Sequence, residues 1–444
     1  MALSSRNLGP QQRSQVITLA APVVPLDAVY ALWQRHALLL WHPPQGMQAV
    51  AVGIALRQDV SAPRRVRALR DAAEQLRRNL RSEDHADAPS PRLWGGFAFA
   101  PGSAHFPPWQ GFGDASFVIP RLTYWTDGAR AWLQGIRVGT DITLDADIAA
   151  AHAAICRVAV TGEEPCSESH TVPRQACSIA PPVEAKWKQQ IDTILEAIET
   201  GEVRKVVAAR CAEVTFEQQL SVSRILRNLR HETGTVWRYA MRREGGTLLG
   251  ATPELLVSRR GDDVLAEALA GTMSVQNGTG EDLLASAKDR SEHQFVCDAI
   301  VEALAPLCAE LHHSRTPTVR TLRRLFHLAT SVRGRLAQPT HVLDLCERLH
   351  PTPATCGTPR DRALDMVLST ESAARGWYAA PVGWFDAKGD GEFVVALRSG
   401  LVCEDRAYLY AGAGIVAGST AERELAETDL KLGVLLHALG ASES

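Results

Sequence analysis

The stretch "AGAGIVAGSTAERELAETDLK", residues 411–431, sets closely spaced glycines ahead of a run of acids that ends in a lysine. Glycines between a strand and a helix can cradle a phosphate, but a dinucleotide site also needs a further strand to complete its unit. Little chain remains after residue 431, and Glu422, Glu424 and Glu427 would repel a phosphate from the first helical turns. Ser419 and Glu422 have capping-box spacing, which gives Glu422 a structural duty. Leu425, Leu432, Leu435 and Leu439 then form an apolar stripe. At about 100° per residue, Glu424, Glu427 and Lys431 fall along one border of it. Alone, that border could be a solvated edge with a Glu427–Lys431 pair.

A second acidic set changes the balance. In "LLASAKDRSEHQFVCDAIVEAL", Glu292 shares a helical face with Phe295, Val296 and Ala299, with Asp289 a turn earlier. A carboxylate on an apolar stripe is costly unless a cation or donor meets it. Two such helices could jointly offer oxygens to a hard cation that keeps waters and also takes substrate oxygens, as magnesium does.

Other residues could act on a substrate. Lys205 opens "KVVAARC" on the same strand face as Val207, Ala209 and Cys211, where lost hydration favours the neutral amine and a base role. A lysine snorkelling from a strand end explains that segment equally well. Glu254 in "GATPELL" is an acid among apolar neighbours at a strand start, and His327 in "LFHLATSVRG" stands beside a small-residue turn. "LHPTPATCGTPRD" is rigid enough to shape a pocket wall. Arg398 in "VVALRSG", read as part of a buried strand, suits bidentate recognition of a carboxylate.

These residues need a scaffold, and the chain is long enough at 444 residues for two domains or two lobes. Residues 1–162 read as a sheet-rich N-terminal lobe, 163–184 as a linker or surface loop rich in Pro, Ser and Glu, and 185–440 as the catalytic region. Strand-like runs such as "MQAVAVGIAL" and "GARAWLQGIRV" flank a helical "VRALRDAAEQLRRNLRSE". In the second half, strands follow one another closely, which favours an α+β fold with large, mostly antiparallel sheets. A net charge of -3 excludes a basic field for nucleic acid. The apolar stretch "VITLAAPVVPLDAVYALW" is too short and too interrupted to span a bilayer. Nine scattered cysteines without a CxxC pair suggest neither a zinc site nor a disulfide framework, and point to reduced thiols in a cytoplasm.

The sequence resembles the chorismate-using enzymes, which include isochorismate synthases, salicylate synthases and the large subunits of anthranilate and aminodeoxychorismate synthases. The likeness covers roughly residues 185 to 440. It rests on "KVVAAR", "GATPELL", "ALAGT", "SAKDRSEHQFV", "HLAT", "HPTPATCGTPRDRA", "RGWYAAPVGW", "GDGEFVVALRSG" and the opening stretch, in this order. The first half joins it more loosely through "RLWGGFAF". The fold this implies has large antiparallel sheets packed with helices around a deep central site.

By that resemblance, Glu292 and Glu427 are direct magnesium ligands, with Glu424 and Asp289 in the surrounding shell. Arg398, Lys431 and the glycine turn of Gly412 and Gly414 bind substrate carboxylates, and Thr272, His327 and Ala354 line the ring pocket. Lys205 resembles the base that activates water, and Glu254 the acid that protonates the departing hydroxyl. Family members that add ammonia resemble one another in lacking this lysine, so the expected reaction is water addition to chorismate with no glutaminase subunit. The loop's Ala354 followed by Thr355 resembles isochorismate synthases. Tyr378 and Leu397 also occur in members that go on to expel pyruvate, so salicylate synthase is the alternative. A catalytically silent chorismate-binding module is a further one. The resemblance also implies a monomer feeding salicylate, siderophore or menaquinone formation.

Overall fold

The computed structural model describes residues 14–34, 36–61, 65–82, 87–162, 175–179, 184–323 and 325–443. Among them, 22 strands join one sheet. Lys205–Phe216 pairs with Arg406–Ile415, followed by Ser399–Cys403, Gly246–Thr252 and Trp237–Arg243. Ala37–His42, Gln48–Val60 and Ala115–Thr126 come next. From there the path runs through Arg92–Phe97, Pro381–Asp386, Gly391–Val395, Leu255–Arg260 and Asp263–Ser274 to Leu325–Leu336. Every pairing along it is antiparallel, the α+β architecture read from the closely spaced strands.

Lys205 and His327 stand on opposite end strands of this path yet line one cavity, so the sheet curls back on itself. Strands between residues 37 and 126 occupy its middle and connect the two ends. Their inner faces are heavily aromatic. Trp41, Trp94, Trp125 and Trp384 are buried together, and the Arg92 guanidinium lies 3.5 Å from the Trp384 ring centre. A cation over an indole face is held by the ring quadrupole, which offsets part of the cost of burying it.

Helices cover the sheet. Glu184–Glu199 buries Trp187, Ile191, Ile194 and Ala197 along one face at helical spacing, and Gly201 follows it at φ +77°. Ala287–Leu304 starts at Ser286, whose hydroxyl accepts from the Asp289 backbone N–H. Its core face is His293, Val296, Cys297, Ile300 and Leu304, which leaves Phe295 exposed at 43%.

Four expectations need correction. Within 163–184, expected as linker or loop, Gln175–Ile179 is a strand that extends the edge of Lys205–Phe216; residues 163–174 and 180–183 lie outside the described residues. Cys177 buries its side chain there, and an unpaired strand edge is a strong template for a short partner. The helix Ala421–Leu439 is capped by Thr420 rather than Ser419, whose hydroxyl instead accepts from Val416 N–H. His327 lies within a strand opposite Thr272, not at a turn. Arg398 occupies the turn before Ser399–Cys403, at φ +46°.

Gly95 shows how tightly the middle of the sheet is built. A Cβ there would stand 1.9 Å from the Ser116 carbonyl oxygen, a backbone atom held in the ladder. Gly95→Ala is expected to lower unfolding stability by about 2–3 kcal/mol. A urea midpoint equal to that of the parent would refute this.

Candidate active site

Lys205 begins its strand and is 5% exposed. Its Nζ lies 2.6 Å from Glu292 Oε1, across from the helix Ala287–Leu304. Gly414, two strand positions from Gly412, makes room for that pair: a Cβ on it would come within 3.0 Å of Lys205 Cε and 3.2 Å of Glu292 Oε1. Burial pushes Glu292 upward, but the Lys205 ammonium outweighs it and holds the carboxyl below its ordinary pKa. Lys205 Nζ therefore has a partner that the reading of "KVVAARC" by itself did not supply.

Glu254 lies just ahead of Leu255–Arg260, 3% exposed, with its N–H donated to Thr252 Oγ1 at 3.2 Å. Burial, reinforced by the charge of Glu267, pushes its pKa up to about 8 against the pull of Lys205, Arg320 and Arg398. Arg320 holds Glu267 through two nitrogens at 2.7 and 3.1 Å. A glutamic acid in this setting keeps its proton at neutral pH and can give it to a leaving group.

A bulge at Gly271, φ +74°, shifts the register between Ala270 and Thr272 and sets Thr272 opposite His327. The His327 ring bridges Thr272 Oγ1 at 3.0 Å and Arg398 Nη2 at 2.5 Å. An arginine can only donate, so Nε2 accepts and Nδ1 carries the proton. Burial and the Arg398 charge hold His327 well below its ordinary pKa, which keeps the ring neutral. Arg398 is pushed down to about 10 by burial and still carries its charge at neutral pH. Its left-handed backbone turns the guanidinium into the cavity.

Glu424 and Glu427 of Ala421–Leu439 face the same space. Lys431 Nζ donates to Glu427 Oε1 at 2.7 Å and to the Gly412 carbonyl at 2.8 Å. Glu424 is buried, and burial raises its pKa, with the Glu427 charge adding to the effect and a Ser419 bond opposing it. Asp289 is bonded by the Ser286 hydroxyl at the helix start. Among the described residues, no group of three or more such side chains converges as a ready-made metal cage. The donor set nevertheless fits a hard cation. It is all carboxylate, and Glu424 lies buried beside the like charge of Glu427, a repulsion that a bound cation relieves.

The remaining wall comes from the loop after His350 and the segment after Arg375. Ala354, Thr355, Tyr378 and Leu397 all line the cavity, with Thr355 Oγ1 donating to Thr352 O at 3.3 Å. The cavity measures about 200 Å³, and the sixteen side chains and glycines singled out in the sequence all border it. Others that border it were not foreseen: Lys288, one helical turn before Glu292, Tyr410, stacked on Tyr378 at 5.2 Å, and Arg375. Arg375 pairs with Glu371 through an i,i+4 spacing that in sequence reads as an ordinary surface pair.

A family model described as chorismate binding enzyme matches residues 4–440. The chain belongs to the chorismate binding enzymes. This chorismate binding enzyme is 33% identical over 442 residues to the salicylate biosynthesis isochorismate synthase of Pseudomonas aeruginosa, covering 97% of the chain and 91% of that relative. It is 34% identical over 369 residues to the isochorismate synthase MenF of Bacillus subtilis, covering 80% and 75%. Among solved structures, the menaquinone-specific isochorismate synthase MenF of Escherichia coli superposes with a TM-score of 0.77 at 28% identity, covering 96% and 94%. Anthranilate synthase component I of Streptococcus pneumoniae shares the fold, with a TM-score of 0.70 at 21% identity over 89% and 93%. No helix among the described residues is long and apolar enough to cross a membrane.

The protonated state of Glu254 is directly measurable. Infrared difference spectra between the parent and Glu254→Gln should contain a protonated carboxyl band at pH 7. That band should fade as pH rises through about 8, because the acid is raised and loses its proton there. Its absence at pH 7 would remove Glu254 as a proton donor.

Proposed function

We propose that this enzyme is an isochorismate synthase, converting chorismate reversibly to isochorismate. The observation that carries the reading is a buried lysine and a buried, protonated glutamic acid bordering one cavity. In the proposed step, Lys205 Nζ takes a proton from water as the water oxygen bonds to ring carbon 2. The ring double bond shifts, the bond from carbon 4 to its hydroxyl breaks, and Glu254 gives its proton to the departing oxygen as water leaves. Arg398, oriented by neutral His327, binds a substrate carboxylate, as do Lys431 and the backbone at Gly412 and Gly414. Thr272, Ala354, Thr355, Tyr378 and Leu397 confine the ring.

Glu292 and Glu427 would hold magnesium, with Glu424 and Asp289 around them. Bound there, the ion would neutralise the substrate's ring carboxylate and fix its orientation. Glu292 engaged in this way would no longer bond Lys205 Nζ, which has to be the neutral amine to accept water's proton.

Water rather than ammonia as nucleophile follows from Lys205, so the reading includes no glutaminase subunit and a chain working as a monomer. Salicylate formation by a separate enzyme is the downstream use proposed first, on the strength of the P. aeruginosa relative's role. A cytoplasmic location is part of the same reading, and the described cysteines are all free, as a reducing compartment would keep them.

Proton NMR of chorismate incubated with the purified chain and magnesium should show isochorismate approaching an equilibrium mixture, without pyruvate. Chelator should stop the conversion, and added magnesium should restore it. Salicylate with equimolar pyruvate would replace this reading with the salicylate synthase alternative. Lys205→Ala should lower kcat by about 10²–10⁴-fold, the usual worth of a positioned base. Turnover within a few-fold of the parent would exclude Lys205 from that role.

A further inference from the structure

One edge of the strand Lys205–Phe216 is paired at its start with Gly357–Thr358 and near its end with Gln175–Ile179. Between these partners the backbone needs other company. Val207 N–H donates to Cys356 O at 2.7 Å, and there the pocket loop peels away. Two side chains then take over the ladder. Ala209 N–H donates to Glu371 Oε1 at 2.9 Å, and Arg375 Nη2 donates to Val207 O at 2.7 Å. Arg375 Nη1 also reaches the Thr355 carbonyl at 2.7 Å, in the pocket wall.

The two side chains bind each other through Arg375 Nε to Glu371 Oε2 at 2.9 Å and Nη2 to Oε1 at 2.5 Å, with side-chain exposures of 2% and 5%. Phe99 supports the pair from the N-terminal half. Its ring lies 4.3 Å beneath the Arg375 guanidinium, its N–H donates to Gly376 O at 2.7 Å, and its carbonyl accepts from His350 Nε2 at 2.9 Å. Burying two charges costs several kcal/mol per ion, and apolar residues of similar size often do as well for stability alone. What apolar residues would lack is a set of bonds joining two separate backbone segments, one two residues from Lys205 and the other beside Ala354.

We propose that Glu371 and Arg375 are positioning residues for the reaction, clamping the strand that starts at Lys205 to the pocket wall at Ala354 and Thr355. This rests on the isochorismate synthase reading and extends it to residues that touch neither proton in transit. The side chains assigned to the substrate carboxylates, Arg398 and Lys431, sit on other elements, and Gly412 and Gly414 stay paired to the strand across its other edge. Loosening the clamp is therefore expected to misalign the base with the ring more than to weaken carboxylate binding.

The test uses the full chain with Glu371→Gln combined with Arg375→Met, which removes both charges together and leaves neither unpaired. Arg375→Lys is the second variant; it keeps Glu371 paired but cannot span both carbonyls with one ammonium. Both are expected to fold by circular dichroism and to lower kcat by about tenfold to a hundredfold, the scale of a small misplacement of reacting groups. KM for chorismate should stay within about twofold. Hydrogen exchange at Val207 N–H should speed up relative to the strand Arg406–Ile415. Folded variants with parental kcat, or with parental exchange at Val207, would overturn the clamp. So would a rise in KM that accounts for the whole loss. The parent assayed alongside separates the two ideas: no isochorismate from it sinks the reading of function, while exchange at Val207 still decides the clamp.

Discussion

The Lys205–Glu292 ion pair closes the curled sheet on itself. Lys205 belongs to one end of the strand path, and Glu292 to the helix packed across the strands of the other end, Asp263–Ser274 and Leu325–Leu336. A buried ammonium-bearing side chain needs a partner, and Lys205 finds the half-buried Glu292 across this gap, so the pair bears on how close the two ends come. The cavity is the space left between them. Gly414 contributes by having no side chain where the pair must fit.

The other site groups depend on local departures from regular structure. Gly271 inserts a bulge that sets Thr272 opposite His327, and Arg398 takes a left-handed backbone that costs a non-glycine residue about 1–3 kcal/mol. Such positions persist only where the surroundings hold them. The His327–Arg398 bond and the antiparallel ladders on either side do so here. Glu254 acquires its proton affinity from burial, next to a carboxylate already held by Arg320.

The N-terminal half makes the curl possible. Strands Ala37–His42, Gln48–Val60, Arg92–Phe97 and Ala115–Thr126 carry the sheet from one end of the site to the other. Phe99 and Trp109 reach directly behind the wall. Trp109 Nε1 donates to Tyr410 OH at 2.9 Å, and its ring fills the space a side chain at Gly376 would need. The loosely matching "RLWGGFAF" stretch therefore includes, in Phe99, a brace for the pocket wall.

Sequence alone determined the element types and the residues worth watching. The alternation of closely spaced strands with amphipathic helices favoured the fold class, acids and a lysine on otherwise apolar faces marked Lys205, Glu254, Glu292 and Glu427, and the family resemblance named most of the remaining residues that line the cavity. Short-range patterns carry that much, because side-chain periodicity depends only on the local backbone. Tertiary structure decided what those groups meet. That Lys205 holds Glu292, that His327 accepts from Arg398, and that Glu371 and Arg375 finish a strand's hydrogen bonding all join residues far apart in the chain. No spacing in the sequence encodes them. The capping residue at Thr420, the strand Gln175–Ile179 and the turn at Arg398 were misplaced for a related reason. The strand and the turn are settled by partners from elsewhere in the chain, Lys205–Phe216 for the one and His327 for the other, and the cap by Ser419 turning its hydroxyl to Val416 N–H, each outweighing a local preference worth only a few tenths of a kcal/mol to about one.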